Sequence, residues 1–394
     1  MSGAERRTLL DPEAHISGRV RAVWRSMRRE GGVHRHPAGT YPEFWSVTSY
    51  DLVKQVYADP DTFSSAHGVL LRPIADGPDP GAGRSLALSD PPRHGQLRRA
   101  MAGVFSPRAV RELRTRTRAE IETLLQPLQD GDVVDFCQHV AIPLTLGMTC
   151  RMLGYPDVLV SEILDWSKAA YETKTSLAAN RDWLFATAEL IDERRSRPTG
   201  DLISTFLHAR DASGQPLLDA EEVFLNCENL IGATENAGLS LAESLSTLCR
   251  CPRTRRAIAA APRQRVQAVD ELLRLASSAV HSMRTTTRDT ELGGHALPSG
   301  SAIVLWLPSA NRDESVFPSP GDIRLDGSRR RHLALGSGVH TCIGAVLARM
   351  QLGQLLDVML PLLEMIEIVS ECPTRSLAVA GPKHLEIAKI DNTY

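Results

Sequence analysis

Residues 217–248 contain no proline and no strong helix stop. At about 1.5 Å per residue, a helix over that stretch crosses a whole domain. Its apolar residues lie on several faces, which predicts a central helix buried on most sides. The remaining pattern is read against that strut.

Residues 44–48 are β-prone, and Ser49, Tyr50 and Asp51 open a helix over 52–57. Residues 66–88 hold four Pro or Gly clusters, too long a connection to be idle, and are read as a functional or mobile loop. From 92 to about 247 the pattern is mostly helical, with an amphipathic helix over 108–128 and breaks at 198–200 and 212–216. A helix over 266–275 is followed by strands at 283–288 and 302–307, then a helix over 342–363. Residues 385–390 alternate in the manner of an edge strand. The expected fold is mainly α with a small β portion, without internal repeats.

The chain has 394 residues, with 45 Lys plus Arg against 47 Asp plus Glu, a formal charge of 45 − 47 = −2. Near-neutrality argues against non-specific binding to nucleic acid or anionic membrane. Hydrophobic residues at 42% and charged residues at 23% exclude a disordered chain. Length alone allows two or three domains at ~150 residues each. Only 5 of the 45 basic residues are Lys, leaving 45 − 5 = 40 Arg, a bias that points to a GC-rich genome. No apolar run follows Met1 as in a signal peptide, and the most apolar stretch, 355–369, is interrupted by Asp357, Pro361, Glu364 and Glu367. Seven scattered Cys fit reduced thiols, so the expected location is the cytoplasm. Cys249 and Cys251 are too closely spaced for a zinc knuckle and are read as structural.

The densest chemical signal is residues 332–344, where Gly336, Gly338 and Gly344 bracket His340 and Cys342. Such a loop lets backbone approach a flat ligand and turns N–H groups toward one sulfur. At a helix start, the dipole is expected to lower the Cys342 pKa. That favours a metal ligand or a nucleophile. With no catalytic base in a protease spacing, the ligand reading is preferred to a nucleophile, and the plain alternative is a buried Cys with Gly for packing.

This segment resembles the cysteine-ligand loop of the cytochrome P450 family, Phe-x-x-Gly-x-x-x-Cys-x-Gly. Leu335 stands at the Phe position. The resemblance covers nearly the whole chain. It includes Asp90-Pro-Pro-Arg-His94-Gly-Gln-Leu-Arg98, Glu271-Leu-Leu-Arg274, Asn311-Arg-Asp313 and Phe317-Pro-Ser-Pro320. It implies one P450 domain over 1–394 around haem b (iron protoporphyrin IX), with electrons arriving indirectly from NAD(P)H.

Residue by residue, the resemblance makes Cys342 the iron ligand and Gly336 and Gly344 its loop. His94, Arg98, Arg284 and His340 become cations at the haem rim, His94 and Arg98 already sharing a helical face by spacing. Glu271 and Arg274 become a structural ion-pair lock. On the distal helix Gly232 and Ala233 match the small pair and Glu235 the acid, while Asn236 replaces the usual Thr. An amide is a poorer proton relay than a hydroxyl. The implied pocket residues are Val69, Leu70 and Asn229, with Val280, His281 and Met283 on the strand after Glu-x-x-Arg. A ferredoxin or flavodoxin with its reductase is expected on a proximal face near Arg99, Arg329, Arg330, Arg331 and Arg349. The implied protein is a monomer without a nucleic-acid or membrane partner.

Three activities remain open at this point. The first is hydroxylation or epoxidation of a bulky metabolite in secondary-metabolite biosynthesis. The second, motivated by Asn236, is an atypical oxidation such as aromatic or phenolic coupling on a free or carrier-protein-bound substrate. The third is a catalytically weak haem-binding recruitment protein.

Overall fold

The central helix runs Ala220–Arg250. It starts where Asp219 and Glu222 form a capping box. The Asp219 carboxylate accepts the Glu222 N–H at 2.8 Å, and Glu222 accepts the Asp219 N–H at 3.0 Å. It ends at Cys251, where Pro252 begins the next helix. Along its length it serves two cores. Val223, Cys227 and Ile231 join one apolar cluster, and Leu241, Leu245 and Leu248 join the other. Each such side chain, fully buried, contributes about 1.5–3 kcal/mol. The computed structural model describes residues 3–77, 79, 81–173, 181–328 and 331–390.

The helix packs against Ile142–Leu153, Arg265–Ala276 and the strand Pro382–Lys389. One core cluster draws on residues from Ile121 to Ile387, and the other on residues from Leu86 to Leu347. A five-stranded sheet lies to one side. Its order is Val33–His36, Phe44–Val47, Ala302–Trp306, His281–Thr286, Phe63–Ser64, and the Phe44–Val47 and Ala302–Trp306 pair is parallel. The architecture is the expected mainly α fold with a small β portion. Among the described residues, no helix is long and apolar enough to cross a membrane.

Several boundaries differ from the sequence reading. The helix placed over 108–128 is Pro107–Leu124, followed by the short turn Gln126–Gln129. The helix placed over 342–363 is Ala345–Met359. The C-terminal alternation is not that of an edge strand. Pro382–Lys389 lies in the middle of a three-stranded sheet, between Val134–Asp135 and Ile366–Pro373. Its alternation arises because Leu385 and Ile387 face the core and are fully buried.

His36 stacks on Phe44 with ring centroids 4.3 Å apart, and neither ring nitrogen has a partner. Burial first, then Arg6, pushes its pKa down to about 3. His281, discussed below, is pushed down to about 4, chiefly by burial. The unfolded chain takes up these protons at the ordinary histidine value and the folded chain does not. This part of the stability is therefore complete above about pH 6.5 and declines as the pH falls toward 4. The midpoint of thermal unfolding is expected to drop over that window, and to drop less steeply in His36→Phe.

Candidate functional site

A cavity of about 390 Å³ lies between the central helix and the cysteine loop. The helix presents Asn229, Ala233, Asn236 and Ser240 to it, at intervals of four, three and four that share one face. The long loop contributes Val69 and Leu70, and the strand after the Glu271–Arg274 helix contributes Ser282 and Arg284. The cysteine loop contributes Gly336, His340, Cys342 and Gly344.

The loop needs its glycines for close approach. Gly338 has φ +65°, and a Cβ there would sit 2.3 Å from the Tyr57 carbonyl oxygen. At Gly336, φ +67°, a Cβ would sit 2.9 Å from the His340 carbonyl oxygen. The Cys342 N–H donates to the Leu335 carbonyl at 2.8 Å. Leu335 lines the cavity and packs on a core cluster, so an apolar wall stands beside the sulfur despite the missing Phe. Cys342 precedes the helix, whose N-cap is Gly344. The expectation that the dipole lowers its pKa is corrected. Burial by surrounding protein dominates and raises it, against smaller lowering by the Gly344 N–H, Arg98 and Arg349. The accessible surface of Cys342 opens on the cavity.

At one end of the cavity four basic groups crowd together. The His94 and His340 rings are 4.2 Å apart, and His94 and Arg284 are each only 3% exposed. Arg284 donates to Ser282 Oγ at 2.9 Å and the Met283 carbonyl at 2.7 Å, and lies over the Tyr57 ring. Among the described residues, no carboxylate forms an ion pair with Arg98 or Arg284. Burial, then Arg284, His94 and Arg98, pushes the His340 pKa to about 3. Burial, then Arg98, lowers that of His94. Arg284 is a buried positive group without an ion-pair partner, which is costly, so this end favours an anionic ligand.

Behind the loop, Arg274 grips Glu271 through two hydrogen bonds of 2.8 Å. On the helix face, Asn236 Oδ1 is buried without a partner. Ser240 Oγ donates to the Asn236 carbonyl at 2.8 Å and lies 2.9 Å from Ser278 Oγ, which also lines the cavity. This hydroxyl pair escaped the sequence reading. The signal for Ser240 was its place four residues beyond Asn236, but nothing local points to Ser278. Thr234 reaches the cavity with its hydroxyl committed to the Ile231 carbonyl at 2.6 Å.

Not every expected residue is here. Gly232 does not line the cavity, and Glu235 faces a small crevice with Cys137, Ile142 and Pro382 on the other side of the helix. The residue keeps accessible surface, yet the protein around its carboxyl desolvates it and raises its pKa. Val280 is packed in the core beside Trp306, and Met283 is likewise off the wall, its N–H held by the Val69 carbonyl at 2.7 Å. On this strand Ser282 and Arg284 line the cavity and Met283 does not. His281 lines the cavity, but both of its nitrogens are taken by backbone. It is therefore no polar handle for a substrate. Arg99 and Arg331 are exposed, Arg349 is paired with Asp270 at 2.6 Å, and Arg329 and Arg330 lie outside the described residues.

Residues 266–379 match the family model described as Cytochrome P450. The chain is 32% identical over 391 residues to cyclomarin C epoxidase CymV of Salinispora arenicola, covering 94% of this chain and 96% of that one. It is 34% identical over 322 residues to nocardicin C N-oxygenase of Nocardia uniformis subsp. tsuyamanensis, covering 78% and 79%. It is also similar to the crystal structure of P450 OxyD, involved in the biosynthesis of vancomycin-type antibiotics. The TM-score is 0.87 at 28% identity, with 96% and 98% of the chains covered.

Proposed function

The chain belongs to the cytochrome P450 family of oxygen-incorporating oxidoreductases, and from that premise we propose that it hydroxylates or epoxidises a bulky organic metabolite in secondary-metabolite biosynthesis. One observation carries this reading. One cavity joins Cys342, a cluster of basic groups in which neither Arg98 nor Arg284 is ion-paired among the described residues, and a largely apolar wall under the long loop.

The residues fit the haem that the family implies. Arg284, Arg98, His94 and His340 would hold two propionates, which supply the counter-charge this end lacks. Gly336 and Gly338 keep backbone close where side chains would intrude, and Cys342 would give up its proton to ligate iron. When bound, haem with a thiolate ligand supplies dioxygen activation, fed by electrons from NAD(P)H through a ferredoxin or flavodoxin and its reductase. Arg99 and Arg331 would meet an acidic partner on the proximal face. The proposal includes one domain over 1–394, a monomer in the cytoplasm.

The chain's own task is then to place the substrate, exclude water and hold a proton. Val69, Leu70 and Ala233 offer apolar contact. Asn229 and Asn236, two turns apart on one face, offer amide hydrogen bonds to a neutral polar substrate. Ser240 and Ser278 hold exchangeable protons on that same wall. Glu235, on the helix's outer side, would exchange protons with solvent. The binding test is a screen of the haem-loaded protein for the low-to-high-spin absorption change. Bulky neutral natural products should give it and small aromatics should not; the reverse ranking would sink the substrate class.

A second reading, aromatic or phenolic coupling on a free or carrier-bound substrate, rests on Asn236. Asn236→Thr restores a hydroxyl there. It is expected to change the ratio of product to peroxide per NAD(P)H consumed by several-fold, about the value of one hydrogen bond in a transition state. An unchanged ratio and unchanged products would remove position 236 from the chemistry and the second reading with it.

A further inference from the structure

The wall of the cavity contains a histidine whose two nitrogens reach different loops. The Leu71 N–H donates to His281 Nε2 at 2.9 Å, and His281 Nδ1 lies 2.9 Å from the Leu377 carbonyl. A backbone N–H can only donate, so Nε2 must be the acceptor. The proton therefore sits on Nδ1 and is donated to Leu377. The ring is 3% exposed and rests near Trp306, whose indole N–H is itself fixed by Ser46 Oγ at 2.8 Å.

We propose that His281 is a specificity-determining positioning residue that pins the long loop on the cavity wall to the segment at Leu377 packed behind it, and so sets which substrate shapes the cavity accepts. This rests on the reading of the cavity as the substrate site. Leu71 directly follows Val69 and Leu70, which face the cavity. Beyond the pin the loop turns outward, with Ile74 57% exposed. On the other side, Leu377 begins a segment that runs beside the strand. The Val280 N–H donates to Ala378, the Ala380 N–H donates to Ser278, and Gly381 then abuts Leu239 of the central helix. These two segments are about 300 residues apart in sequence, and His281 is the side chain that hydrogen-bonds to both. A phenylalanine would fill the space but strand a buried N–H and a buried carbonyl. Neutral imidazole carries a donor on one edge and an acceptor on the other.

Two amide side chains separate the two bonds. Asn places its amide where Nδ1 is and can keep Leu377. Gln reaches the Nε2 position and can keep Leu71. In the haem-loaded protein, His281→Asn is expected to speed hydrogen exchange of the Leu71 amide about fivefold or more while leaving 376–380 protected. His281→Gln should do the reverse, and His281→Phe should loosen both. The second readout uses azoles that bind haem iron, imidazole as a small probe and clotrimazole as a bulky one. His281→Phe should leave the imidazole Kd within twofold and shift that of clotrimazole by about fivefold or more. Equal loosening of both segments by Asn and Gln would show a general packing role and overturn the proposal. So would unchanged exchange in all three variants, or equal shifts for both azoles. If neither azole binds the wild-type protein, the haem-site reading fails. The exchange pattern then still decides whether His281 pins the loops, but the specificity role falls with the site.

Discussion

Cys342→Ala is expected to abolish the red-shifted absorption band of the reduced protein under carbon monoxide, together with all measurable NAD(P)H-driven oxidation. Cys342 is the cysteine that opens on the cavity. Cys137, Cys150 and Cys227 are buried in the apolar cores, where burial raises their pKa values and keeps the thiols protonated. Among the described residues no group of three or more His, Cys, Asp or Glu could hold a metal ion. The raised pKa of the free thiol sharpens the expectation. Without a metal the sulfur is a poor nucleophile at neutral pH, so the ordinary thiol chemistry that the dipole argument suggested should be weak. Slow alkylation by iodoacetamide of the haem-free protein, compared with a small thiol, checks this second point. Retention of the band in Cys342→Ala would move the ligand elsewhere and overturn the site.

The parts of this site legible in the sequence are those whose cause is local. Gly336 and Gly338 are required by backbone that would collide with any Cβ, and a cluster of glycines announces such crowding wherever it falls. Glu271 and Arg274 share a helix face by spacing alone. The central helix is visible from the lack of breakers, though its start is set by the capping box of Asp219 and Glu222, two residues inside the stretch read from 217. What was not legible depends on contacts between distant segments. The strand from His281 to Thr286 has no clear polar–apolar alternation, and only its neighbours decide that Ser282 and Arg284 line the cavity while Met283 does not. His281 lines the cavity, but nothing local in the sequence shows that its nitrogens are taken, because its partners Leu71 and Leu377 lie far away in the chain. Pro382–Lys389 was read as an edge because its second neighbour, Val134–Asp135, is only two residues long. The Cys342 pKa was misjudged for a similar reason. The dipole is a property of the helix next door, whereas desolvation is the sum of everything packed around the sulfur.

Arg274→Met is expected to cost about 3–5 kcal/mol of folding free energy, measured by denaturant unfolding, and to lower the haem content of the purified protein. The Arg274 side chain is 1% exposed. Besides its two bonds to Glu271, it donates to the carbonyls of Asn311, Pro320 and Asp322 at 3.0, 2.7 and 2.9 Å, and lies 5.0 Å from the Phe317 ring centre. Glu271 in turn accepts the Arg324 N–H at 3.1 Å. One guanidinium thus organises the irregular stretch from 311 to 324. Asn311 carries that order onward, since its side-chain oxygen accepts the Leu333 N–H at 2.7 Å at the entrance of the cysteine loop. Removing Arg274 strands a buried carboxylate and three carbonyls, so the penalty comes chiefly from what is left behind. That account makes two further demands. Arg274→Lys should recover little, because an ammonium cannot reproduce the planar fork that reaches five acceptors. Glu271→Leu combined with Arg274→Met should be less unstable than Arg274→Met alone, because the stranded charge is gone. A cost below about 1 kcal/mol for Arg274→Met, or a double variant no better than the single one, would mean that the pair is not the lock behind the loop.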